Sequence, residues 1–207
     1  GMITSLCKNA ILLENGKLKY RGTASDSVRK YLSKGDFSPF KVDFTKYAKT
    51  IGDEFSTLLA ASIQDLKGNA VGSIDIREPF KISMRYELLK NIEIKAYPEY
   101  HFYDERGECL FVISEELSSI PKGTMGIYEA QCIIDGNFFN NGTFFVGLTV
   151  ALLNNGKTDD CFFERDALCF SIIDPIEETL YQSRNGYSGP YPGPLRPKFK
   201  WNVRKLR

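Results

Sequence analysis

The chain has 207 residues, with 27 Lys and Arg against 26 Asp and Glu and a formal net charge of +1. That balance argues against nucleic acid or an anionic membrane surface as partner, because binding dominated by phosphate contacts calls for a basic excess. Basic residues cluster only in the final stretch, at Lys198, Lys200, Arg204, Lys205 and Arg207, where a short solvated tail explains them.

A single histidine, His101, leaves little imidazole for mixed Cys/His zinc sites or Ser–His–Asp triads. The five cysteines, Cys7, Cys109, Cys132, Cys161 and Cys169, form no CxxC pair. They lie in apolar, strand-like contexts and read as buried free thiols of a reducing compartment. No apolar run approaches the roughly 18 residues of a membrane-spanning helix. No basic segment followed by an apolar one reads as a secretory signal. The opening Gly1-Met2 looks like a tag scar, so the chain reads as an excised piece of a longer protein.

In chain order, residues 1–34 read as a small mixed unit. Ala10-Ile11-Leu12-Leu13 is a short apolar strand, Asn15-Gly16 a hairpin turn, and Leu18-Lys19-Tyr20 the returning strand. Thr23-Ala24-Ser25-Asp26 offers caps for a helix through Leu32, with Val28, Tyr31 and Leu32 on one face. Such a unit is too small to fold alone. A linker at 35–39, with Gly35, Ser38 and Pro39, leads into residues 40–180, which read almost entirely as strands. Turn signals at Leu66–Asn69, Asp104–Gly107, Asn140–Gly142 and Asn154–Gly156 separate runs rich in Phe, Tyr, Val and Ile. That spacing predicts an all-β, antiparallel β-sandwich, immunoglobulin-like or jelly-roll, with at most short helical turns near 114–119. Residues 181–207 form a Gly/Pro/Tyr-rich tail whose four prolines between 190 and 197 exclude a central strand. Its last segment, Phe199–Val203, could close or exchange an edge strand.

Alternation assigns the faces of the strands. Phe80, Ile82, Met84, Tyr86 and Leu88 point inward and Lys81, Ser83, Arg85 and Glu87 outward. Over 97–104, Tyr100 and Phe102 point inward and Glu99, His101 and Tyr103 outward. Over 126–134, Tyr128, Ala130, Cys132 and Ile134 point inward and Glu129 and Gln131 outward. Over 143–152, Phe144, Val146, Leu148, Val150 and Leu152 point inward, leaving Phe145 and Thr149 outward. Taken as one face, Arg85, Glu99, His101, Tyr103, Glu129, Gln131, Phe145 and Thr149 combine hydrogen-bonding groups with rings. Carbohydrates are bound in that way, by stacking on C–H faces and by fixed polar groups. An ordinary solvated sheet face has the same alternation. No GxxxxGK[ST], GxGxxG, HExxH or GxSxG occurs, so the nucleotide-driven and common hydrolytic motifs are missing. Adjacent acids such as Asp53-Glu54, Glu115-Glu116, Asp159-Asp160 and Glu177-Glu178 leave a glycosidase pair open but read as surface.

Two stretches carry a resemblance. Cys7-Lys8-Asn9-Ala10-Ile11-Leu12-Leu13-Glu14-Asn15-Gly16-Lys17-Leu18, followed by Gly22 and Tyr31-Leu32, resembles the end of an ABC-transporter ATPase domain. Gly126-x-Tyr128, Asp135-Gly136-Asn137-Phe138-Phe139-Asn140-x-Gly142-Thr143-Phe144 and Gly189-Pro190-x-Pro192-Gly193-x-x-Arg196-Pro197-x-x-x-Trp201 resemble the C-terminal domain of Wzt-type polysaccharide-exporting ATPase subunits. Relatives often carry a proline where this chain has Asp135-Gly136. The resemblance implies a β-sandwich that binds polysaccharide in the cytoplasm, beside the inner membrane, before export. It also implies a homodimer, a membrane permease reached through the full-length protein, and no catalysis or cofactor in this fragment. A structural dimerisation or docking sandwich and a carbohydrate-active enzyme are the competing readings.

Overall fold

The computed structural model describes residues 6–14, 16–24, 27, 40–115, 123–154, 156–174, 189, 191–197 and 199–205. The expected helix through Leu32, the linker at 35–39, the turns at 116–119 and the tail at 181–188 lie outside the described residues.

Eleven strands are described: β1 (Asn9–Glu14), β2 (Lys17–Thr23), β3 (Lys41–Asp43), β4 (Ser56–Gln64), β5 (Ser73–Asp75), β6 (Phe80–Leu88), β7 (Lys95–Tyr103), β8 (Cys109–Ser114), β9 (Gly126–Ile134), β10 (Gly142–Asn154) and β11 (Lys157–Ile173). β1 and β2 pair antiparallel as the expected hairpin around Gly16. The others form a β-sandwich of two sheets, ordered β5-β11-β10-β7-β8 and β3-β4-β6-β9. Every pairing is antiparallel except β11 with β5.

The inward residues assigned by alternation meet between the sheets. Phe80, Ile82, Met84, Tyr86 and Leu88 join Tyr100, Phe102, Phe144, Val146, Leu148, Val150, Leu152 and Ile134 in one buried cluster. Phe139 sits at its aromatic centre, with ring centroids 4.5 Å from Phe144, 5.4 Å from Phe170 and 5.6 Å from Phe102. The Tyr100 hydroxyl, on β7, crosses the interior and donates to the Ala130 carbonyl on β9 at 2.8 Å. Burial pushes that phenol far above its ordinary range, so it stays a donor at any ordinary pH.

Turn chemistry follows the sequence signals. At Asp104–Gly107 the Asp104 carboxylate accepts from the Arg106 and Glu108 amides, each at 2.9 Å. Gly107 takes the left-handed φ of 81° that closes this turn.

The tail from Gly189 is held against its own sandwich. The Asn140 side-chain amide donates to the carbonyls of Tyr191 and Gly193, at 2.7 and 2.8 Å. The Asn140 and Arg196 amides bond to Pro194 and Phe138 carbonyls, both at 2.8 Å. Arg196 pairs with Asp174 at 3.2 Å and lies over the Tyr191 ring at 4.1 Å. Beyond this clasp, Phe199, Trp201 and Val203 are 74%, 85% and 88% exposed.

Candidate functional site

Alternation predicts each residue's side of its own strand, and strand pairing decides which strands share a surface. The eight candidate residues divide between two opposite surfaces. Arg85, Glu129 and Gln131 lie on the outer face of the four-stranded sheet, where Arg85 on β6 faces Glu129 on β9 and Ser83 faces Gln131. Glu99, His101 and Tyr103 on β7 and Phe145 and Thr149 on β10 lie on the outer face of the five-stranded sheet. The single mixed face expected from the sequence therefore does not form.

The five-stranded surface is also closed where rings were expected to stand open. Tyr103 and Phe145 are 8% and 4% exposed, packed with Cys169. Thr149 is wholly buried and its hydroxyl donates to the Phe162 carbonyl. The cause is an irregularity in β11. Val146 pairs with Leu168 and Leu148 with Glu164, so three residues of β11 stand opposite Gly147 alone. A Cβ at Gly147 would lie 3.0 Å from the Arg165 carbonyl oxygen and 3.2 Å from the Phe163 ring. From this bulge the Arg165 guanidinium reaches over Tyr103 at 4.8 Å and donates to the Gly107 carbonyl at 2.7 Å. Phe163 packs edge-on against His101, with centroids 4.9 Å apart. The buried His101 Nε2 makes no hydrogen bond among the described residues and sits 3.4 Å from a Glu99 carboxylate oxygen. His101 and Glu99 are thus a half-buried couple tucked beneath Phe163, not part of an open platform.

The four-stranded surface is concave. A trough of about 940 Å³ runs over it, within the range of ligand-binding clefts. Its residues stand in two rows across the sheet: Asp43, Ala60, Arg85 and Glu129, then Lys41, Ser62 and Ser83. The small Ala60, Ser62 and Ser83 leave the floor low, while Lys46 and Tyr47, from the 3-10 turn after β3, complete the lining. Glu129 is fixed before any ligand arrives. One carboxylate oxygen accepts from the Ser83 hydroxyl at 2.9 Å and the other from the Gln131 side chain at 3.1 Å. Asp43 accepts from the Thr45 hydroxyl at 2.6 Å and pairs with Lys46 at 3.4 Å. The Thr45 hydroxyl chiefly, with its amide and Lys46, holds the Asp43 carboxyl below its ordinary range. Arg85 is exposed, and neither it nor Lys41 forms an ion pair among the described residues.

Sequence reading placed Arg85, Ser83, Glu129 and Gln131 on an outward face but missed Lys41, Asp43, Ser62 and Tyr47. Strand β3, which carries Lys41 and Asp43, has only three residues, too few for alternation to register. A second cavity, about 570 Å³, opens along the side of the sandwich between Pro98, Tyr100 and Ile113 and the edge strand at Ala130–Ile133. Among the described residues no three His, Cys, Asp or Glu side chains gather as a metal site. No described helix is long and apolar enough to cross a membrane. The free cysteines are less uniformly buried than their contexts implied. Cys161 and Cys169 are buried, Cys132 is half-buried, and Cys7 and Cys109 are exposed.

No family model matches the chain, and no curated protein matches it. Solved structures do. A crystal structure described as the C-terminal domain of Wzt superimposes with a TM-score of 0.58 at 11% identity, covering 75% of this chain and 88% of that one. The chain is an all-β sandwich with the fold of the C-terminal domain of Wzt.

Proposed function

We propose that this chain is a non-catalytic glycan-recognition module of a polysaccharide ABC exporter, binding its polymer through the trough on the four-stranded sheet. One observation carries the reading. The trough sets donors and acceptors in fixed positions, with Glu129 preset by Ser83 and Gln131 and Arg85 left exposed. Hydroxyl-rich ligands need that arrangement more than they need a deep apolar pocket. The shared fold and the family resemblance supply the export context: a cytoplasmic module beside the inner membrane, joined through the full-length protein to a permease. No cofactor and no nucleic acid enter the reading. An enzyme is disfavoured because the trough's carboxylates, Asp43 and Glu129, lie three strand spacings apart, about 14 Å between backbones. Each is already engaged by neighbours. Paired glycosidase carboxyls stand about 5–10 Å apart.

Titrating the chain against microbial oligosaccharides tests this. Arg85→Ala should weaken binding roughly tenfold or more with an unchanged melting temperature. Glu129→Ala should weaken it as much while also lowering the melting temperature, because the buried Ser83 hydroxyl loses its acceptor. Glu99→Gln, on the opposite sheet, should bind as the parent does. Binding that ignores the trough variants overturns the assignment.

A dimerisation module is the second reading, favoured by the exposed Phe199, Trp201 and Val203 and by edge strand β9, which shows Ile127 and Ile133 to solvent at 60% and 63%. Unpaired edges and exposed extended segments are suited to pairing between copies. Sedimentation of the chain with and without residues 199–207 separates this reading, since deletion should leave a monomer.

A further inference from the structure

We propose that the glycan taken by this trough is acidic, with its carboxylate or phosphate group received by Arg85 and Lys41. This rests on the glycan reading above and narrows it to a substrate class. Five charged side chains line the trough: Lys41, Asp43, Lys46, Arg85 and Glu129. Lys46 and Asp43 neutralise each other at 3.4 Å. The partner expected for Arg85 is Glu129, directly across the strand pair, since opposite charges so placed attract. Glu129 instead accepts from the Ser83 hydroxyl and the Gln131 amide, one on each oxygen. Neither Arg85 nor Lys41 has a carboxylate within ion-pair distance among the described residues.

Two cations outside any described ion pair flank β4, on β3 and β6, about 10 Å apart across the strands and offset by two residues along them. Between them stand only Ala60 and Ser62, too short to obstruct an incoming group. A guanidinium presents a planar fork that matches two oxygens of a carboxylate or phosphate. Lys41 adds a point charge that tolerates either geometry. A purely neutral polymer would meet these cations with hydroxyls alone and gain no charge-paired hydrogen bond from them. The molecule's net charge of +1 makes this a local feature of the trough and not a general basic surface.

The test is calorimetric titration of the full chain with three probe sets: oligogalacturonates and oligomannuronates, phosphodiester-linked oligosaccharides, and neutral manno- and gluco-oligosaccharides. The expected result is binding of one acidic set, weakened by added salt and reduced roughly 10- to 100-fold by Arg85→Gln. Arg85→Lys should retain part of the affinity, and the melting temperatures of both variants should match the parent's because Arg85 is exposed. The carboxylate and phosphate arms show which anion is read. Neutral oligosaccharides bound at parental strength by Arg85→Gln would overturn the acidic assignment and leave glycan recognition standing. Binding of no probe would overturn both.

Discussion

Gly147 shows how much one missing side chain decides. The β11 bulge presses the Arg165 carbonyl and the Phe163 ring onto this position, and both belong to a packed strand that cannot retreat freely. Gly147→Ala should destabilise the fold by about 1–3 kcal/mol, read as a lower urea midpoint, and should also disturb Tyr103 beneath Arg165. Phe139→Ala, which empties the aromatic centre, should cost about 3–5 kcal/mol. Titration gives a further residue-scale expectation. Desolvation foremost raises the Tyr86 phenol, and the Cys161 and Cys169 thiols, to about 12. In each case the folded protein holds a proton that the unfolded chain has released. These contributions are therefore fully present below the ordinary values of 9.0 for the thiols and 10.0 for the phenol. They are lost as pH climbs toward 12. Melting temperature should fall progressively above about pH 9, and below it a thiol reagent should label Cys7 and Cys109 well before Cys161 and Cys169.

At the scale of elements, the clasp around Asn140 is a discrete unit. Asn140→Ala removes the donor that serves the Tyr191 and Gly193 carbonyls, a loss of about 1–3 kcal/mol. Hydrogen exchange should quicken at the Arg196 amide, whose bond to Phe138 belongs to the same clasp, while amides within β6 and β10 stay protected. The elements also show what a single sequence can reveal. Period-two alternation in β6, β7, β9 and β10 is readable because each strand is long and large apolar residues recur at every second position, and the inward sets converge as expected. Which strands share an outer surface depends on pairings between distant segments, such as Ser83 with Gln131, and no local pattern encodes that. Reading Arg85 and Phe145 onto one face joined two surfaces that the sandwich keeps apart. The β11 bulge was hidden for a related reason, because Glu164-Arg165-Asp166 looks like any polar segment until Gly147 is known to lie opposite.

For the whole molecule, the two outer faces are unequal. One is roofed by its own strand and the other is hollow and polar. The N-terminal hairpin, with Ile11, Leu13 and Leu18 exposed at 59%, 57% and 61%, and the apolar C-terminal stretch lie outside the sandwich core. Trp201 is the chain's single tryptophan, so its fluorescence reports on that stretch alone. In dilute solution a neutral quencher should reach it freely. Quenching that declines as protein concentration rises would register pairing of copies through residues 199–203.

The hydroxyl of Tyr100 has a mechanical consequence. Strand β9 contributes Glu129 to the trough and, among the described residues, has a neighbouring strand on one side only, so hydrogen bonds to β6 alone would leave it free to swing like a door on one hinge. Tyr100 bolts it from behind at Ala130, next to Glu129, which lines the trough. Tyr100→Phe touches nothing in the trough, yet it should let that wall breathe and speed ligand release while leaving the rate of capture nearly unchanged, a signature that surface plasmon resonance can resolve.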